Sequence, residues 1–243
     1  IIFPKNFDLS KLACDDSIKT LDTGSKMKYI SYNKKPFHIQ IPECLLPYGI
    51  TNQNMDDENA HKYAMDVSLR DPETRECIRK FKEMLQALDD HFVEEAFKNQ
   101  KEWLKKVYPS KEVVEALYTP MLKYSKDKDT GDRNDAYPPT FKMKLPYAKD
   151  KFTTEFFDYK GVPLDGNEVI HMNSKGARVI AIAKCNGLWF AGGKFGCSWK
   201  AIQVQILPKV NTIGGCAIKI CKDDSLNNEL TDDDEDSESD DDF

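Results

Sequence analysis

The sequence predicts a mainly β chain with inserted helices, of the α+β class, built as one small barrel. Apolar and polar residues alternate with the period of a strand before residue 70 and again after residue 138. Between these regions lies one long stretch with the three-and-four spacing of an amphipathic helix. Because strands and helices do not alternate along the chain, a barrel with helices inserted in one connection, about residues 71–124, fits better than a βαβ array.

The N-terminal third predicts an irregular arm and then two strands. Residues 1–33 are polar and weakly periodic, which predicts the arm. Residues 34–42 alternate around Phe37, Ile39 and Ile41 and have a proline near each end, which predicts a strand. Residues 63–69 alternate in the same way and predict the second strand.

A helix is predicted to start at Asp71-Pro72-Glu73, which offers an N-cap acceptor, a proline at the first helical position and an acid in the first turn. Its apolar stripe consists of Ile78, Phe81, Leu85, Leu88 and Phe92, and Asp89 is expected on the opposite, polar face. We expect this helix to run to about Val107 and a second helix to extend from Ser110 to Leu117.

The second half of the chain predicts strands and tight turns. Residues 125–136 predict a polar loop, 161–166 a turn region, and 192–196 a glycine-rich hairpin. The predicted strands are 141–145, 152–158, 178–185, 187–190 and 199–206.

Charge is distributed unevenly along the chain. The net charge of -6 conceals two oppositely charged regions. The tail, residues 223–243, has 12 acidic and no basic residues, whereas the segment 140–222 has 13 basic and 5 acidic residues. The tail has too few apolar residues to fold and is predicted to be disordered. The chain thus divides into an arm (1–33), a binding domain (34–222) and an acidic tail (223–243), and its basic half points toward nucleic acid.

Two fragments resemble catalytic motifs, but neither has the required context. Asp22-Thr23-Gly24 matches an aspartic-protease loop but is flanked by lysine, serine and threonine rather than by apolar strands. Gly196-Cys197-Ser198-Trp199 resembles a cysteine-protease nucleophile segment, yet no histidine follows His171 to act as base. No metal-ligand spacing or phosphate-binding loop is present in the sequence. We therefore expect no enzymatic activity, no cofactor and no metal.

The sequence favours an intracellular, reducing compartment. Its seven cysteines form no C-x-x-C pair and leave one odd, which does not suit a disulfide framework. Its apolar runs are far shorter than the ~20 residues of a membrane span, and no signal-peptide pattern opens the sequence. We expect no membrane partner.

The segment 184–200 combines lysines, aromatic rings and four glycines, the combination that holds single-stranded nucleic acid by phosphate contacts and base stacking. The flanking glycines favour exposure of Trp189 and Phe195, while the alternatives are core packing for the rings and a solvated strand face for Lys142 and Lys144. The predicted DNA-binding residues are Lys142, Lys144, Lys175, Arg178, Lys184, Trp189, Phe190, Lys194, Phe195, Trp199 and Lys200.

The acidic tail ends in a single aromatic residue, Phe243. Carboxylates can occupy a phosphate track and a ring can occupy a base site, so the tail is expected to compete with DNA and, once displaced, to contact partner proteins through Asp240, Asp241, Asp242 and Phe243. As a coil, the tail spans ~25 Å. An acidic-tailed chaperone that binds histones or other basic proteins is the alternative, and the tail alone does not separate the two.

The order of these parts resembles the single-stranded DNA-binding protein family of short-tailed coliphages. The resemblance runs through residues 63–90, Thr140 to Lys144, Asp158 to Gly161, Lys175 to Val179, Gly196 to Lys200 and the terminal Asp241-Asp242-Phe243. Residues 34–42 and 189–196 also look like proteins of nucleocytoplasmic large DNA viruses.

The resemblance implies an OB-fold-like five-stranded barrel with a long inserted helix. It also implies binding of single-stranded DNA without sequence specificity, in replication, recombination or repair. Carried over by position, it implicates Lys142, Lys144 and Lys200 in DNA binding, and it implies a homodimer and a tail that recruits polymerase and helicase-primase. A viral member of this family would act in the host nucleus or in a cytoplasmic virus factory.

Overall fold

The computed structural model describes residues 1–21, 24–54, 61–172 and 174–208. The described part is mainly β with four α-helices, which confirms the predicted class. The acidic tail, the terminal Phe243 and Asp22-Thr23 lie outside the described residues. None of the helices in the described part combines the length and the apolar character needed to cross a membrane.

Among the described residues, nine strands precede the first α-helix. They are β1 (Leu12–Cys14), β2 (Lys19–Thr20), β3 (Lys26–Lys28), β4 (Ile30–Tyr32), β5 (Lys35–Pro36), β6 (His38–Gln40), β7 (Cys44–Leu45), β8 (Ile50–Asn52) and β9 (Tyr63–Ser68). The irregular arm predicted for residues 1–33 is therefore corrected, because short strands form there. Ile30 and Tyr32 are buried, and the Tyr32 ring stacks on Phe37 with centroids 5.1 Å apart, so packing orders a segment of weak periodicity.

The helices follow as α1 (Glu76–Lys98), α2 (Gln100–Trp103) and α3 (Lys111–Leu117). The helix predicted from Asp71 begins later, because Asp71 has a φ of 58° and its carbonyl accepts the amide N–H of Arg75 in a separate turn. It ends at Lys98 rather than near Val107, because Asn99 leaves the helical conformation and its side chain donates to the Glu95 carbonyl. The second predicted helix is confirmed as α3.

The remaining elements include one helix, α4, that the sequence did not predict, and two strands, β19 and β20, that are longer than predicted. They are β10 (Tyr118–Thr119), β11 (Leu122–Lys123), β12 (Ser125–Lys126), β13 (Arg133–Asn134), β14 (Thr140–Leu145), β15 (Tyr147–Ala148), β16 (Lys151–Phe152), β17 (Glu155–Phe157), β18 (Pro163–Leu164), α4 (Gly166–His171), β19 (Arg178–Ala191) and β20 (Lys194–Leu207).

Three local predictions are corrected here. The loop predicted at 125–136 contains the β12–β13 pair, where the Arg133 guanidinium lies 3.5 Å from the centroid of the Tyr124 ring. The turn region predicted at 161–166 leads into α4, which Asp165 caps through the amide of Asn167. The strands predicted at 178–185 and 187–190 are one strand, β19, with a register shift between Cys185 and Gly187.

Strand pairings run in a ring around the core. β20 pairs with β14, β14 with β9, β9 with β7, β7 with β19, and β19 returns to β20. Phe141, Met143 and Trp199 point to the inside of this ring and are buried. Helix α1 packs against the same interior, where the Phe81 ring meets Phe141 edge to face at 5.4 Å. Because side chains alternate along each strand, the residues between these buried ones form the outer face.

Candidate nucleic-acid interface

Three lysines form a row across the outer face of three adjacent strands. Lys144 of β14 is the register partner of Lys200 of β20, and Lys200 is the register partner of Lys184 of β19. Register partners on neighbouring strands point to the same face, and neighbouring strands lie about 4.8 Å apart. Lys144 is exposed, while Lys184 and Lys200 are half-buried. We call these three residues the lysine row.

Two further lysines lie beside the lysine row. Lys142 precedes Lys144 by two residues and therefore faces the same side of β14. Lys123 of β11 is the register partner of Thr140, which lies on the same face. Partial burial and the charge of Lys142 lower the pKa of Lys123, while Asp66 opposes that shift. The lysine row together with Lys123 and Lys142 is named the basic face.

The positive charge of the basic face is largely uncompensated. In the described ranges none of its five lysines forms an ion pair. The nearest acidic neighbour by register is Asp66, opposite Lys142. Like charges on directly opposed strand positions destabilise a sheet. A fold that nevertheless collects lysines in one row has a surface suited to a bound polyanion.

The Trp189 ring lies at one end of the basic face. Trp189 is the register partner of Gly196, and the indole is half-buried. A Cβ atom on Gly196 would lie 2.9 Å from Cζ2 of the indole and 2.9 Å from the carbonyl oxygen of Thr119. Because Gly196 has no side chain, the indole of Trp189 can lie directly on β20.

A cleft of about 280 Å³ separates β14 from the part of β20 that precedes Lys200. It forms because these strands pair only at Lys144 and Lys200, while residues 118–123 enter the space between them. Lysines and aromatic rings thus line one concavity. The lining residues are Thr119, Met121, Lys123, Phe141, Lys142, Lys144, Trp189, Cys197, Ser198 and Trp199.

A buried carboxylate holds the segment 118–123 from behind. The Tyr118 hydroxyl donates to Asp89 Oδ1 at 2.6 Å, and the Met121 amide donates to the same carboxylate at 3.2 Å. Burial raises the pKa of Asp89 to about 6, although these hydrogen bonds act in the opposite direction. The Trp199 indole N–H in turn donates to the Met121 sulfur at 3.0 Å. Helix α1 thereby positions one wall of the cleft.

Sequence reasoning missed Lys123 and misplaced Asp89. Asp89 was expected on the polar face of the helix, but it is 5% exposed. Its spacing contained the signal, because Asp89 follows Leu85 by four residues and precedes Phe92 by three. Lys123 lies on a two-residue strand that no periodicity could indicate.

Three of the predicted rings do not lie on the basic face. Phe195 and Trp199, at 0% and 1% exposed, belong to the core. The exposure expected for Phe195 is therefore wrong, and for Trp199 the alternative of core packing holds. Phe190 is half-buried and stacks on Phe195 with centroids 6.0 Å apart. The reason is strand alternation: when Trp189 and Lys200 face outward, Phe190 and Trp199 must face inward.

The other predicted cations lie apart from the lysine row. Arg178 donates to Glu43 at 2.7 Å and begins β19, six residues before Lys184. Lys175 is exposed in the turn that precedes β19. Lys194 is exposed at the tip of the β19–β20 hairpin, near Trp189, where Gly192 and Gly193 both have positive φ, as a two-residue type I′ turn requires.

The described residues offer little that suits catalysis or metal binding. Burial raises the pKa of the Cys197 thiol, whose sulfur lies 3.5 Å from that of Cys185, and a raised pKa disfavours the reactive thiolate. Within the described ranges no three His, Cys, Asp or Glu side chains form a group that could hold a metal ion.

Residues 65–213 match a family model described as a family of unknown function, DUF5871. The chain belongs to the DUF5871 family. No curated protein matches the sequence of this DUF5871 member.

Solved structures of phage proteins are similar to the chain. The single-stranded DNA-binding protein from bacteriophage Enc34 in complex with ssDNA has a TM-score of 0.46 at 16% identity, covering 84% of this chain and 99% of that one. The single-stranded DNA-binding protein gp2.5 encoded by bacteriophage T7 has a TM-score of 0.38 at 15% identity, covering 76% and 98%. Both similarities are to single-stranded DNA-binding proteins of bacteriophages, the group that the sequence of this chain resembles.

Proposed function

We propose that this protein binds single-stranded DNA without sequence specificity through the basic face and Trp189. The observation that carries the proposal is the lysine row beside a half-buried indole, with no ion pair at any of its lysines in the described part of the chain. Lysines bind phosphates as point charges and do not distinguish bases. An indole stacks on any base and contributes ~1–3 kcal/mol per stacked base.

The proposal extends to the cellular role and to the scaffold. We propose an OB-fold-like five-stranded barrel, supported by the ring of pairings through β7, β9, β14, β19 and β20. On this scaffold the protein acts in replication, recombination or repair, without enzymatic activity or cofactor. We propose that it does so as a homodimer in a reducing intracellular compartment. The tail competes with DNA for the basic face and recruits polymerase and helicase-primase. The histone-chaperone alternative is not favoured, because it gives no role to the lysine row or to the Trp189 ring.

Tryptophan fluorescence tests DNA binding directly. The chain has three tryptophans, and Trp103 and Trp199 are 5% and 1% exposed, so quenching on addition of oligo-dT reports Trp189. We expect quenching in the wild type, a loss of affinity of about 5-fold or more in Trp189→Ala, and near-normal affinity in Trp189→Phe, which keeps a stacking ring.

Neutralising one lysine separates phosphate contact from stacking. Lys200→Gln is expected to lower the slope of log K against log[salt] by about 0.7 and to leave quenching at saturation intact. The matched control is Lys128→Gln, at an exposed lysine of the turn between β12 and β13 that is not one of the five lysines of the basic face. An unchanged salt slope in Lys200→Gln, or equal losses in both variants, would contradict the proposed site.

A further inference from the structure

A short hairpin leaves the sheet beside the lysine row. The chain departs from β14 after Lys144, turns through β15 and β16, and returns as β17 at Glu155. Lys144 pairs with Lys200 of β20, and Glu155 pairs with Gln203 of the same strand. The two ends of the hairpin therefore lie beside positions of β20 that are three residues, or about 10 Å, apart. The buried Thr154 hydroxyl donates to the Ala201 carbonyl at 2.9 Å and anchors its base.

The hairpin carries an aromatic ring that is fixed but still accessible. The Tyr147 ring centroid lies 4.8 Å from that of Phe152, 5.1 Å from Tyr63 and 5.9 Å from His61. All three neighbours meet Tyr147 edge to face, and none stacks parallel to it. Phe152 packs in turn on the buried Phe156 at 5.5 Å, so the core supports the cluster from below. Tyr147 itself remains half-buried.

Two lysines flank this ring. Lys149 and Lys151 are exposed, and in the ranges that the structure describes neither forms an ion pair. Lys149 and Asp150 have φ values of 53° and 58°, a left-handed pair that non-glycine residues rarely adopt. The turn is held in this form because the Asn167 side chain donates to the Asp150 carbonyl at 3.1 Å. Asp150 is the one acidic group in the turn, so the hairpin retains net positive charge.

We propose that a single strand crossing the lysine row continues onto this hairpin, with Tyr147 as a second stacking ring and Lys149 and Lys151 as phosphate contacts. The inference rests on the proposed function and deepens it. A strand that passes Trp189, the lysine row and Tyr147 in turn occupies a longer site than the basic face alone provides. The hairpin should therefore contribute to the binding of long oligonucleotides and not of short ones.

A length series of oligo-dT, from about 4 to about 16 nucleotides, tests this expectation by fluorescence anisotropy. Tyr147→Ala and Lys149→Glu should weaken binding of the longest oligonucleotide about 5-fold or more and leave the shortest unaffected. Trp189→Ala should weaken binding at every length. Tyr147→Phe, which keeps the ring, should match the wild type, and so should Tyr48→Ala, which removes an exposed tyrosine elsewhere.

The outcomes separate the two proposals. If Tyr147→Ala and Lys149→Glu bind every length as the wild type does while Trp189→Ala binds weakly, the hairpin site is overturned and the basic face stands. If the wild type binds no oligonucleotide, both fail. Because Lys149 is exposed in a turn, Lys149→Glu tests the site even if Tyr147→Ala loosens the ring cluster.

Discussion

Single residues on this sheet have roles that depend on which face they occupy. Trp199 and Lys200 are adjacent in sequence, yet the indole is buried in the core and the ammonium group belongs to the lysine row. Asp89 shows the same dependence on helix α1, where a carboxylate lies among apolar neighbours and binds the Tyr118 hydroxyl. The role of a charged or aromatic residue can thus be assigned only once it is known which face of its strand or helix the side chain occupies.

Asp89 should make stability depend on pH. Its pKa is raised from 3.8 to about 6, so between these values the folded chain binds more protons than the unfolded chain. The free energy of unfolding should therefore fall as pH rises through this window, by up to about 3 kcal/mol. Urea unfolding of wild type and Asp89→Asn at pH 4, 5, 6 and 7 checks this.

The difference between wild type and Asp89→Asn isolates this contribution. Surface carboxylates such as Glu83 and Glu94 have lowered pKa values, which contribute a stability change of opposite sign in both proteins. A difference that stays constant from pH 4 to pH 7 would show that Asp89 is not the titrating group.

At the scale of elements, the β19–β20 hairpin presents the ring and two lysines of the candidate interface. Its strands pair over their whole length, and the register shift near Gly187 sets which side chains face outward beyond that point. A Cβ on Gly187 would clash with the Lys28 carbonyl oxygen, so the close backbone approach from β3 requires glycine there. The outward position of Trp189 depends on this local geometry.

Gly196→Ala tests the seat of the indole. The added methyl group should displace the Trp189 ring and weaken oligo-dT binding by a few-fold, because the stacking face moves. A double-mutant cycle with Trp189→Ala provides the control, since it isolates the coupling between the two positions from any disturbance of β10. Gly196→Ala should have little further effect on affinity once the ring is removed. An equal loss in both backgrounds would indicate that the glycine acts on something other than Trp189.

At the scale of the whole molecule, charge is separated between a basic face and an acidic tail. Residues 223–243 have 12 acidic and no basic residues, whereas the described surface presents five lysines on one face. Under the proposed competition, tethering would give the tail an effective concentration of order mM at the basic face. Competition between tail and DNA follows if the two bind the same lysines.

Deleting residues 223–243 should tighten binding of oligo-dT, because the tail no longer competes with DNA for the basic face. Titration at two salt concentrations measures this, because the gain should shrink as salt screens both interactions. A matched variant replaces the tail acids by their amides at unchanged length. If the truncated chain binds oligo-dT no better than the full chain, the competing-tail proposal is wrong.

Several features of this protein follow from its sequence alone. The alternating strands at 63–69 and 141–145, the glycine hairpin, the helix α3 and the accumulation of lysines after residue 140 all depend on local periodicity, turn chemistry and composition. Such properties are encoded over a few neighbouring residues, so they are visible before the chain folds.

Only the tertiary structure decided which lysines and rings meet. Lys144, Lys200 and Lys184 share a row because β14 aligns in register with the β19–β20 hairpin, and Phe195 and Trp199 are buried because that register turns them inward. Lys123 joins the basic face through a two-residue strand, and Asp89 supports it from a helix. Register and long-range packing depend on how all the strands of the sheet pair and on the free energy gained by burying one of its faces. A pattern of a few neighbouring residues cannot predict either.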